Sequence, residues 1–146
     1  NYGAHRFDRI REGVRASLIQ LESVNVLMCA AMLLARRTVV SLFIDAPTEA
    51  VISYAGGYLT VVAPFYVVLG LLIVYRSAVQ SMGNSTAPFL ACVVELMMRI
   101  SGALGLARVL GYTGVCFSSP LAWIGATALL IPFYRREMRK GKNIAA

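Results

Sequence analysis

The sequence predicts an all-α fold of the membrane-spanning kind, a polytopic transmembrane helical bundle, and three observations predict it. Of the 146 residues, 58% are hydrophobic and only 14% are charged, whereas soluble domains run about 45–50% apolar and about 25% charged. Four apolar stretches approach or exceed the roughly 20 residues that a helix needs to cross a hydrocarbon core of about 30 Å. The basic residues behind the formal net charge of +7 gather at the ends of those stretches. Topology signals sit there, whereas a nucleic-acid-binding surface carries its charge as a patch or stripe on one face. No nucleic-acid partner is expected.

Residues 1–15 are polar and basic and read as a cytoplasmic loop and helix start. The opening Asn1-Tyr2-Gly3-Ala4 is expected to be the interior of a longer chain, without a signal peptide. The first span covers residues 16–35, interrupted by Glu22 and Asn25. Residues 38–44 are apolar but short and are expected to extend that helix along the interface. Asp45-Ala46-Pro47-Thr48-Glu49 makes a turn and a helix start, with Glu49 suited to the positive end of the helix dipole.

The second span, residues 50–75, carries no charge. Ser81-Met82-Gly83-Asn84-Ser85 gathers helix breakers, and Ser85 or Thr86 is expected to cap the third span, residues 86–106, with Pro88 in its first turn. Gly111-Tyr112-Thr113-Gly114 precedes the fourth span, residues 115–134. Within hydrocarbon each stretch must be a helix, because an open strand edge leaves backbone groups unpaired. Pro64 and Pro120 each remove a backbone hydrogen bond and are expected to bend their spans.

Orientation follows from Lys and Arg in the short loops. Arg6, Arg9, Arg11, Arg15, Arg76 and the basic tail of residues 135–146 fall on one side. Arg36, Arg37 and Arg108 fall on the other. Both ends are expected to be cytoplasmic, with the tail resting on anionic headgroups of the cell membrane.

Cys29, Cys92 and Cys116 all lie in apolar runs, His5 is the only histidine, and no CxxC occurs. Neither a disulfide framework nor a metal site is expected. No Ser/His pair, Asp pair or metal cluster suggests an enzyme. The candidate functional residues are the ionisable groups inside spans, which are expensive there. Glu95 and Arg99 lie four apart on one helical face. They are either a coupling or substrate-cation carboxylate tuned by its neighbour, or a structural ion pair. Glu22 either faces a cavity or marks a polar face near the interface. Tyr54, Tyr58, Phe65, Tyr66 and Tyr75 populate the second span. Tyr58 and Tyr66 are the candidates for cation–π contact with flat organic cations, against packing or an interfacial belt. Arg76, at a helix end, reads as a topology and headgroup contact.

Four motifs carry a family resemblance. Asn1-Tyr2-Gly3-Ala4-His5-Arg6-Phe7-Asp8-Arg9-Ile10-Arg11-Glu12-Gly13 resembles the Q-N-x-G-A-G-x-x-D-R-I-R-x-G stretch of multidrug and toxic compound extrusion (MATE) transporters. Ser41-Leu42-Phe43 resembles the end of the family's next helix. The run from Tyr75 to Ser85 resembles x-R-x-x-L-Q-G-x-G-D-T, and Gly111 through Pro120 and Trp123 resembles G-x-x-G-V-x-x-A-x-P-x-x-W. His5 and Ser81 stand where the family usually has Gly, and Asn84 where it usually has Asp.

The resemblance implies the last four spans of a twelve-helix protein with two bundles around a central cavity. It implies antiport, a cationic or amphipathic organic substrate leaving as H⁺ or Na⁺ enters, with no cofactor beyond the coupling ion. The first bundle of the same chain and the membrane lipids would be its partners. The family's sodium-type branch carries an acidic residue midway along the second span. Residues 50–75 have none there, which weakens a sodium site in this bundle. A lipid-linked oligosaccharide flippase of the same superfamily and a non-transporting membrane scaffold subunit are the alternatives.

Overall fold

The computed structural model describes residues 1–44 and 47–144, with side chains to Lys140. All regular structure among them is helical: α1 (Phe7–Leu34), α2 (Arg36–Phe43), α3 (Glu49–Val62), a 3₁₀ turn (Ala63–Phe65), α4 (Tyr66–Ser81), α5 (Thr86–Leu110) and α6 (Tyr112–Ile144). Four helical units are long and apolar enough to cross a membrane: α1, α3 with α4, α5 and α6. They outrun the apolar stretches because polar turns prolong a helix beyond hydrocarbon. The 33 residues of α6 span about 50 Å, against about 30 Å of hydrocarbon.

Local chemistry places the breaks. Pro64 has no N–H to offer the helix, and the chain tightens into the 3₁₀ turn that joins α3 to α4. Pro120 and Pro132 lie within α6, whose helix runs on through both. Residues 38–44 do not extend the first helix. Ala35 ends α1, and α2 is a separate short helix with Leu42 and Phe43 exposed. Thr48 caps α3, its Oγ1 accepting from the Val51 N–H at 3.5 Å. Asp45 and Ala46 of that turn lie outside the described residues. Arg37 and Glu49 pair across it, and with both side chains exposed the pair adds little.

At the other end of the second span, Gly83 adopts a φ of +86°. The Gly83 N–H donates to Gln80 O at 3.0 Å and the Asn84 N–H to Val79 O at 3.3 Å, the paired closure of a left-handed helix end. Ser85 stands at the N-cap position of α5 but makes no side-chain cap bond. Asn84 supplies that bond instead, its Oδ1 accepting from the Ala87 N–H at 3.1 Å. Its Nδ2 donates to Glu137 Oε1 at 3.0 Å, where Lys140 also donates at 2.8 Å. The family's usual Asp would set a second carboxylate against Glu137, so an amide at 84 suits an acid at 137. The start of the basic tail is thus a packed continuation of α6, with Glu137 and Met138 buried. Lys142 and the end of the tail lie outside the described side chains.

Helix α6 is the central element. It packs against α5, α4 and α3, and α1 packs on the outer side of α4. Small residues allow the close approach. Ala122, Ala126 and Leu130, spaced by four, are fully buried on α6, as are Ala87 and Ala91 on α5. The α5–α6 pair is an antiparallel hairpin turning at Gly111, where φ is +57°. Gly102 lies against Ser118, and Gly114 against the backbone of Leu106. The outward faces are apolar: Leu27 is 66% exposed, Leu104 64% and Leu96 58%. Such a surface is costly in water and natural against lipid or another helix bundle.

Gly114 and His5 give the fold two tests. A Cβ at Gly114 would strike the Leu106 carbonyl, so Gly114→Ala is expected to destabilise by about 1–3 kcal/mol through overpacking. An unchanged thermal midpoint in detergent would show that the hairpin is looser than described. His5 holds a left-handed φ of +53°, a conformation that costs most L-residues roughly 1–2 kcal/mol. His5→Gly is expected to raise the midpoint slightly and His5→Val to lower it. The reverse order would remove the strain at this turn.

Candidate functional site

Two polar groups are built between the spans. The first is centred on Glu95, in the first half of α5. Its Oε1 accepts from Arg99 Nη2 at 2.9 Å, one helical turn away, and its Oε2 accepts from Arg76 Nη2 of α4 at 2.8 Å. The sequence spacing anticipates the contact with Arg99. Arg76, read from sequence as a topology and headgroup contact, instead reaches across to Glu95. The tight turn at Gly83 and Asn84 folds α5 back along α4 and brings positions 76 and 95 to similar depth. Glu95 is 20% exposed, Arg76 29% and Arg99 46%. Both carboxylate oxygens are engaged, and the trio carries one excess positive charge. Arg76 Nε is buried without a partner.

The second group lies between α1 and α4. Because α1 begins at Phe7, Glu22 stands near the middle of that helix. Asn25, one turn on, donates from Nδ2 to Glu22 Oε2 at 3.3 Å and to the Tyr66 carbonyl at 2.9 Å. The second bond ties α1 to the first residue of α4, just past the Pro64 break. Facing both is Gly70, where any Cβ would collide with the Glu22 carboxylate and the Asn25 amide. The glycine therefore makes the recess that holds the acid. Glu22 Oε1 is buried there with no hydrogen-bond partner. Gly70 and Arg76 are six residues apart on α4, so the two groups differ in level by about 9 Å.

The aromatic candidates separate. Tyr66 is half-buried beside Trp123, with ring centroids 6.2 Å apart. Tyr58 is 40% exposed on α3 and joins neither polar group. Tyr54 pairs edge-on with Tyr112 at 5.1 Å, and the Tyr112 hydroxyl donates to the Tyr54 carbonyl at 2.9 Å. Asn25, Gly70 and Arg76 complete the groups; sequence reasoning set Asn25 near Glu22 but did not place Gly70 or Arg76 there. The i, i+3 spacing of Glu22 and Asn25 was the available signal for the second group. Among the described residues, no three His, Cys, Asp or Glu side chains gather as a metal-ligating set.

A bundle of four membrane-spanning helices with ionisable side chains held between them defines a multi-pass membrane protein. A family model described as MatE matches residues 1–105, which takes in α1 through most of α5 and leaves the motif in α6 outside the match. The chain belongs to the MatE family, a family of transporters. Neither a curated protein nor a solved structure matches it.

Removal of Glu95 tests the first group. Breaking a fully buried ion pair costs about 3–5 kcal/mol. With Arg99 46% exposed, solvent screening reduces the expected loss for Glu95→Ala to about 2 kcal/mol. Adding Arg76→Leu to Glu95→Ala is expected to recover part of that loss, since it removes a stranded charge. Thermal unfolding in detergent measures both. Additive destabilisation in the double variant would mean that the two side chains are not coupled.

Proposed function

We propose that this protein is a secondary antiporter of the cell membrane that exports cationic or amphipathic organic compounds in exchange for H⁺ or Na⁺. In this reading both ends of the chain are cytoplasmic. The chain acts with a second helical bundle that completes the cavity, and alternating access comes from the two bundles rocking against each other. The single observation that carries the assignment of roles is the unpartnered, buried Oε1 of Glu22. A buried carboxylate oxygen without a partner can take a proton where it stands, and in this reading it meets a Na⁺ ion or the charged end of an organic cation when α1 and α4 part during the transport cycle.

Glu95 serves differently. Both of its carboxylate oxygens are already taken by guanidinium groups, one from Arg76 and one from Arg99, which leaves no free oxygen for a substrate cation. It fastens α4 to α5. The uncharged second span fits the same division, because Glu22 brings an acid from α1 to the side of α4 at Gly70. Tyr66, next to that recess, is the aromatic side chain best placed to meet a flat cation.

A lipid-linked oligosaccharide flippase is the second reading. Arg76 favours it, since Arg76 and Arg99 outnumber Glu95 and suit an anionic pyrophosphate.

Inverted vesicles containing the protein decide between these readings. Fluorescent organic-cation uptake is measured under imposed H⁺ and Na⁺ gradients for wild type, Glu22→Gln, Glu22→Asp and Glu95→Gln. Loss of gradient-driven uptake in Glu22→Gln, partial retention in Glu22→Asp, and transport by whatever Glu95→Gln protein folds are expected. Full transport by Glu22→Gln would end the role given to Glu22. Failure of the wild type to move any cation, with movement of a lipid-linked pyrophosphate, would favour the flippase.

A further inference from the structure

We infer that the end of the bundle where α1 begins and α6 finishes holds a binding site for the phosphate of an anionic phospholipid. A cavity of about 490 Å³ opens there. Arg11 and Arg15 of α1 line one wall, and Arg135 and Arg139 of α6 line the other. Each pair is spaced by four, so both members project from one face of their helix. Tyr75 of α4 and Tyr134 of α6 complete the lining, with ring centroids 5.2 Å apart.

Four guanidinium groups around one cavity repel one another unless an anion lies among them. Among the described residues no acidic side chain lines the cavity. The salt bridges among the described residues involve Arg37, Arg76, Arg99 and Lys140, and none of these four arginines. Asp8 and Glu12 beside the α1 arginines, and Glu137 between the α6 arginines, do not line the cavity; Glu137 is engaged by Lys140 and Asn84. Guanidinium groups bind phosphate oxygens in paired, directed hydrogen bonds, and tyrosine hydroxyls can add neutral donors.

The surroundings favour a lipid as the source of the phosphate. The polar first turns of α1 and last turns of α6 carry the arginines to headgroup depth. On the flank of the α1 face that bears Arg11 and Arg15, beside Glu22 where that face turns into α4, Ile19 is 60% exposed and Val26 59%. This leaves an apolar track toward the bilayer centre for an acyl chain. The site is separate from the Glu22 and Glu95 groups and does not depend on the transport direction or substrate.

The test is lipid retention by the full chain, measured by native mass spectrometry after purification in neutral detergent. The probes are phosphatidylglycerol and phosphatidylcholine. Wild type is expected to retain phosphatidylglycerol selectively. Arg11→Gln with Arg139→Gln is expected to weaken that retention about 30-fold. The control is Arg136→Gln with Arg6→Gln, which removes the same charge outside the cavity and is expected to change retention little. Circular dichroism checks that both variants keep wild-type helix content. Competition with glycerol phosphate, which lacks acyl chains, distinguishes the sources. Failure to displace the lipid at millimolar concentration supports a lipid site, and displacement would reassign the pocket to a soluble phosphate and overturn the inference. Equal retention of the two lipids, or equal losses in the cavity and control variants, would also overturn it.

Discussion

In hydrocarbon a backbone N–H or C=O finds no water, and each one left unpaired costs several kcal/mol. The described chain answers this constraint with helices alone, and the rest of its organisation follows. Departures from regular helix must be made good locally. Gly83 closes α4 with two backbone bonds, Asn84 caps α5 with its side chain, and Asn25 donates to the Tyr66 carbonyl beside the Pro64 break. The polar side chains on spans mostly serve this accounting or pair with each other. Glu22 Oε1 and Arg76 Nε are exceptions, together with Thr127 Oγ1.

Packing obeys a second consequence of the same medium. Apolar contact gains little where lipid is equally apolar, so helices associate through fit and polar bonds. The alanine and glycine stripes of α5 and α6 supply the fit. Links between Asn25 and Tyr66, Arg76 and Glu95, and Asn84 and Glu137 supply the bonds. Each joins two different helices, and together they connect α1 to α4, α4 to α5, and the α4–α5 turn to α6.

The spans were legible in the sequence because hydrocarbon imposes one length and one polarity on any helix that crosses it. The breaks at Pro64, Gly83 and Gly111 were legible because proline and glycine act on their own backbone. The Glu95–Arg99 contact was visible because both residues lie on one helix at a fixed spacing. What escaped depends on which helices become neighbours. Nothing in the order of residues places Arg76 on Glu95, or opens a recess at Gly70 for an acid forty-eight positions earlier. Helix ends were also underestimated, since α1 starts at Phe7 with turns too polar for an apolar pattern to register. Ser85 and Thr86 were reasonable cap residues by type. Asn84 makes the capping bond because the left-handed closure at Gly83 aims its side chain at the first free N–H groups of α5.

The Pro64 turn gives the second span an uneven stiffness. On one side of it α3 lies against α6 and the short α2; on the other α4 lies between α1 and α6. The span's backbone ladder is already one bond short at this level, so bending there sacrifices less than bending anywhere else along it. The segment thus behaves as two rods with a compliant joint. The α4 rod is clamped by Asn25 at the joint and by Arg76 farther along, whereas among the described residues the side-chain bonds from other helices to α3 lie away from Pro64, from Tyr112 to the Tyr54 carbonyl and from Arg37 to Glu49. Torque applied to α3 would be absorbed at the joint and reach the Glu22 recess only weakly.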